Sequence, residues 1–166
     1  MAEHSFHCHD EAVRLKLPRD WRLLVLLHDA HEAYIGDIIT PVAAALDVLV
    51  EEATGRSKEV HSALNMMRRR HDREILAAVG LDWNTLTGAA WFAMKGIDSA
   101  AMMTERDALA PVQPESWGDM ERASRLPFTP QCWDAKTARR EFLERVALYD
   151  PRALKVLADL NINLAA

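Results

Sequence analysis

Only two cysteines occur in the 166 residues, Cys8 and Cys132, and they form no CxxC pair. A disulfide framework is excluded, and reduced thiols are expected. Long hydrophobic runs are missing too. Apolar runs such as "LLVLL" at 23–27 fall far short of the roughly 20 apolar residues a membrane-spanning helix needs. The opening "MAEHSFHCHD" is acidic and His-rich, where a targeting segment would be basic and then apolar. A cytoplasmic protein with no membrane partner is expected. There is no excess of positive charge: 20 Lys and Arg stand against 25 Asp and Glu, a net charge of −5. A nucleic-acid polymer demands a concentrated basic face, so such a partner is not expected. The run Arg68 to Arg70 is local and reads as a solvated helix face. No strand pattern, internal repeat or low-complexity segment is found.

What is present is an ordinary globular mixture, nearly half apolar and about a quarter charged. A chain of this length reads as a single domain over 1–166, burying roughly two-thirds of the surface of its unfolded form. Six or seven helices are predicted. "WRLLVLLHDAHEAY" begins after Pro18 and ends near Gly36. "PVAAALDVLVEEAT" carries Pro41 at a position suited to the first helical turn and stops at Gly55. A third helix covers 57–79, with Gly80 as its stop, and a fourth runs from about Thr85 to Leu109. "DAKTARREFLERVALY" and "DPRALKVLADLNI" each open on an Asp able to cap. Between 110 and 134 lies a segment with four prolines beside Trp117, Phe128 and Trp133. Two readings of it stay open: a functional loop or lid, and a surface connection stapled to the core by its aromatics.

The run of apolar residues before "HDAHE" leads straight into two imidazoles and two carboxylates. Charges that follow a buried stretch need a partner, a hydrogen bond or a metal. On a continuous helix His28 and Glu32 share one face, and Asp29 is turned by about 100° from His28. Imidazole beside carboxylate suits a divalent first-row metal. Two ligands do not hold a metal tightly, so more must come from elsewhere. His4, His7 and His9 are candidates, and so is Asp98 inside the apolar "WFAMKGIDSAAMM". Spacing leaves Asp98 open between ligation and an ion pair with Lys95, three residues before it. His31 is read as a contact to a neighbouring helix. The doublet recurs at His71-Asp72 among charges in "RRRHDREI", so the doublet alone is a weak signal.

The order His4, His28-Asp29, Asp98 resembles the H…HD…D pattern of the HD-domain metal-dependent phosphohydrolases. "AEHS", "LLHDAHEAYIGDIITP" and "TERDAL" are similar to the branch of bacterial 5′-deoxynucleotidases and their phage relatives, some of which act on dATP as triphosphohydrolases. The resemblance runs from Met1 through "FLERV". It implies an all-α fold with one divalent metal ion (Mn, Co, Zn, Fe or Mg) held by His4, His28, Asp29 and Asp98. Glu32 matches the catalytic carboxylate, and Asp37 matches a position that contacts the deoxyribose. Lys95 and Arg106 are the nearest cations for a phosphate, with surface ion pairing as the other reading of each.

Three departures bear on the substrate. Relatives carry a further segment ahead of "AEHS" that helps bind the nucleotide, whereas this chain opens on the match; a late start or a differently built substrate site is expected. Ala43 replaces a lysine, and "KEAD" reads "KGID". Gly96 costs about 1 kcal/mol relative to Ala within a helix, so a close approach or a bend is expected there. The activity expected is that of a deoxynucleoside 5′-monophosphate phosphatase acting on a small nucleotide. The alternatives are a dNTP triphosphohydrolase and a catalytically impaired metal- and nucleotide-binding module. A homo-oligomer is expected.

Overall fold

The computed structural model describes residues 2–110 and 116–159. Eight α-helices occur there: α1 (Ala2–Arg14), α2 (Arg19–Leu27), α3 (Glu32–Ile35), α4 (Thr40–Thr54), α5 (Glu59–Ala78), α6 (Gly88–Leu109), α7 (Ala135–Ala147) and α8 (Arg152–Asp159). No strand occurs among the described residues. Since α3 is a single turn, seven longer helices make up the all-α architecture of six or seven helices that the sequence predicts. No single helix among the described residues is long and apolar enough to cross a membrane.

Local chemistry sets most helix ends. Pro41 sits in the first turn of α4, and Gly55 closes that helix in the left-handed conformation, φ +72°. Thr87 and Asp134 cap α6 and α7 by accepting the backbone N–H of Ala90 and Thr137. The Thr87 cap starts α6 at Gly88, three residues later than predicted. Asp150 accepts the backbone N–H of Arg152 at the start of α8, and the predicted continuation through Ile162 lies outside the described residues.

One predicted helix is broken. "WRLLVLLHDAHEAY" forms α2 as far as Leu27, a turn over 28–31, and then α3. His28 Nδ1 donates to the Val25 carbonyl at 2.7 Å, a local bond that competes with the helical ladder. The chain then tightens, with Glu32 N–H donating to the Asp29 carbonyl and Ala33 N–H to that of Ala30. The one-face relation of His28 to Glu32 therefore does not rest on a continuous α-helix.

The described residues fall into two compact units. One takes in Met1–His28 and Asn84–Ala166, and the other Asp29–Trp83. In the first, α1 lies against α2, α6 and α7, and α7 against α8. Its core joins Cys8 and Ala12 of α1, Val25 of α2, Ile97 and Ala101 of α6, and Leu126. The predicted 110–134 segment belongs here; its residues 111–115, with Pro111 and Pro114, lie outside the described residues. The described remainder is anchored at three points. Leu126 N–H donates to Thr104 Oγ1, Phe128 stacks on the His7 ring, and the Glu3 carboxylate accepts the backbone N–H groups of Gln131 and Trp133.

In the second unit α4 packs against α5. The start of α5 has no capping side chain of its own; the Asp47 carboxylate of α4 takes the Val60 and His61 N–H groups instead. His31 Nδ1 and the Asp72 carboxylate of α5 are 2.9 Å apart, the helix contact predicted for His31.

Candidate metal centre

Three helices of the first unit bring His4, His28 and Asp98 together. His4 stands in the first turn of α1, His28 at the end of α2 and Asp98 within α6. A ligand atom from each lies within 4.8 Å of the others. Both imidazoles turn Nε2 toward the same carboxylate oxygen: His4 Nε2 is 3.3 Å and His28 Nε2 3.6 Å from Asp98 Oδ1. The other carboxylate oxygen, Oδ2, accepts from Lys95 Nζ at 2.6 Å.

The far side of each imidazole is held as well. His28 Nδ1 faces the Val25 carbonyl, which cannot donate, so Nδ1 carries a proton and Nε2 is the nitrogen turned toward Asp98. His4 Nδ1 is 3.0 Å from both oxygens of Glu105. A histidine whose second nitrogen binds a carbonyl or carboxylate is oriented as metal-ligating histidines are. Neither holding contact appears among the predicted site residues. Glu105 had a legible signal, since it follows Asp98 by seven residues, two turns along one face of α6.

Electrostatics show what the cluster requires. Burial works to raise the Asp98 pKa, but hydrogen bonds from His28, His4 and Lys95 outweigh it and hold the carboxyl well below the usual range. For His4, burial works downward, and bonds to Asp98, Cys8 and Glu105 push the ring up to about 12. The carboxylate demands positive charge beside it. A proton on His4 supplies it here, and a divalent ion at the same donors would displace that proton. Two imidazoles and a carboxylate fit Mn, Fe, Co or Zn by ligand type.

Asp29 is peptide-bonded to His28 and opens the second unit. Within that unit Glu32 begins α3, and its pKa is raised, first by burial and then by the Asp29 and Asp37 charges. A carboxyl shifted toward neutral pH suits proton transfer. Asp37 lies in the connection between α3 and α4. Lys95 is the Asp98 partner already described, its side chain otherwise exposed. Arg106 donates to Glu121 and Asp107, and its guanidinium lies over the Trp117 ring.

Of the three N-terminal histidines, His4 alone joins the cluster. His7 stacks on Phe128 with ring centroids 3.9 Å apart, and His9 Nε2 pairs with the Tyr149 hydroxyl at 2.7 Å. Cys8, one turn after His4, is expected from the sequence to be a reduced thiol. Its Sγ is 3.5 Å from His4 Nε2, and His4, Cys8 and His28 form a second group whose ligand atoms lie within 4.8 Å. No family model, no curated protein and no solved structure matches the chain.

Proposed function

We propose that this chain is a metal-dependent phosphohydrolase of the HD-domain type, acting on a small nucleotide. The observation that carries the reading is the pair of imidazoles, each fixed at Nδ1, aimed at one oxygen of buried Asp98. His4, His28 and Asp98 hold one divalent ion, and Asp29, next in the chain after His28, is assigned as the fourth ligand on the H…HD…D order. Bound there, such an ion supplies Lewis acidity toward a phosphoryl oxygen and an acidified water. Glu32, with its raised pKa, accepts or orients the proton of the attacking water. Asp37 is assigned to the sugar hydroxyls of a deoxynucleoside 5′-monophosphate. The protein is placed in the cytoplasm as a homo-oligomer.

A binding module that holds metal and nucleotide without turnover is the second reading. It is favoured by one observation: both cations assigned to the phosphate are engaged, Lys95 by Asp98 and Arg106 by Glu121. A substrate phosphate would have to draw one of them away. The test is phosphate release by metal-stripped protein re-supplied with Mn, Co, Zn or Mg, on deoxynucleoside mono- and triphosphates, with Asp29→Ala alongside. Metal-dependent turnover abolished in Asp29→Ala supports the enzyme. Inorganic phosphate as product identifies the monophosphatase, and triphosphate the dNTP hydrolase. Ion binding without turnover on any substrate sinks the enzymatic reading in favour of the binding module.

A further inference from the structure

Cys8 occupies a place that core packing alone does not account for. It is fully buried and packs beside Ala12 and Val25, as a small apolar residue would. Yet its sulfur points to the centre rather than away from it. One helical turn separates it from His4, which puts both on the same face of α1, and Sγ comes within 3.5 Å of His4 Nε2. The two imidazoles are shared between two donor groups, one completed by the Asp98 carboxylate and the other by the Cys8 thiol. In both groups the imidazoles are the same pre-oriented pair, so a sulfur-containing ligand set needs no new arrangement of His28.

We propose that Cys8 is a metal ligand, and that it makes the His4–His28 pair selective for a thiophilic divalent ion, Zn²⁺ or Co²⁺, over Mg²⁺ and Mn²⁺. This rests on the metal reading above and goes beyond it by naming a sulfur donor. The chemistry is ligand softness: thiolate favours zinc and cobalt, whereas carboxylate and water suit magnesium and manganese. On binding, the S–H proton of Cys8 and the displaced ring proton of His4 leave to buffer as the sulfur–metal and nitrogen–metal bonds form, and no oxidant is involved. The exposed Cys132 lies outside both groups.

The experiment uses the full chain carrying Cys132→Ser, so that Cys8 is its sole thiol. Metal-free protein is titrated with Co²⁺, and the near-ultraviolet spectrum is followed beside the visible d–d bands. A sulfur-to-cobalt charge-transfer band that saturates at one equivalent, and is absent in the further variants Cys8→Ala and Cys8→Ser, is the expected result. Chelator competition should then show Zn²⁺ affinity falling in both variants by at least the roughly 10–100-fold that losing a partner of a metal ligand costs, with Mg²⁺ affinity unchanged. Visible bands without charge transfer overturn the sulfur ligand and leave the metal reading standing. Charge transfer in a protein without phosphatase turnover supports the ligand and counts against the phosphohydrolase. Failure to bind Co²⁺ at all overturns both. Because the first spectrum needs no change at Cys8, a variant that fails to fold does not blunt the test.

Discussion

Asp98 of α6 and Asp47 of α4 are equally buried, both 8% exposed, and each faces histidine, but they are satisfied in different ways. Asp47 is engaged by backbone: it takes the N–H groups of Val60 and His61, which α5 would otherwise leave without a partner. Among the described residues the partners of the Asp98 carboxylate are side chains, two imidazoles and a lysine. A carboxylate bound by backbone donors is fixed by the fold and is busy holding it together. One bound by side chains that are themselves metal ligands in type can exchange those partners for an ion. Burial and a histidine neighbour therefore do not mark a site; what fills the remaining lone pairs does.

The largest expected difference follows directly. Asp98→Ala should abolish metal binding by titration calorimetry and bring turnover to background, whereas Asp47→Ala should keep both and show its effect in thermal unfolding alone. An Asp47 variant that loses the ion would break the comparison.

The two units differ in the same sense in their apolar residues. Leu23 to Leu27 of α2 are all buried, while Val42, Leu46 and Leu49 of α4 stay exposed despite similar hydrophobicity. Leu24→Ala should cost about 2–5 kcal/mol in urea unfolding, the range for a buried leucine. Leu49→Ala should stay within about 0.5 kcal/mol, as surface changes do. Equal costs would mean that α4 is covered in solution, which the proposed oligomer would explain.

Glu105→Ala removes the carboxylate behind His4 and leaves every donor of the centre in place. Metal affinity should fall roughly 10–100-fold by chelator competition, with the ligand set unchanged. An unaltered affinity would show that α1 packing alone orients His4.

Much of this was legible from sequence where the determinant is local. Pro41, Gly55, Thr87 and Asp134 act within one turn of their own position, and the helices they bound fall close to where the pattern puts them. The break after Leu27 was not legible, because a single bond from His28 to Val25 leaves no trace in hydrophobic period. The convergence of His4 with Asp98, 94 residues apart, cannot come from spacing, and the H…HD…D resemblance supplied it. Glu105 and Cys8 stood at helical intervals from Asp98 and His4, but their neighbours in sequence gave no reason to single them out.

Acid titration sharpens the comparison within the second unit. Burial alone would raise the Asp47 pKa; the bonds from His61 and from the Val60 and His61 N–H groups outweigh it and hold the carboxyl low. A group depressed in the folded state contributes stability above its unfolded pKa, near 3.9, and loses it as pH falls through the lower folded value. Asp47→Asn should thus flatten the acid limb of stability against pH, measured by thermal midpoints below about pH 5, where the reference protein declines. An unchanged slope would mean that other carboxylates carry the acid response.

The smallest effect is expected at Gly96, on the helix that presents Asp98. The "KGID" departure predicts a close approach or a bend, but a Cβ built there meets nothing within 4 Å, so the close approach is absent. The residue is exposed and lies within the uninterrupted α6, so glycine there costs backbone entropy without a steric return. Gly96→Ala should therefore stabilise the chain by about 0.4–1 kcal/mol in urea unfolding. The same variant asks whether α6 must flex for the centre to work. If turnover falls while stability rises, the glycine serves the movement of Lys95 away from Asp98 toward a phosphate; if turnover holds, the Lys95 side chain alone makes that move.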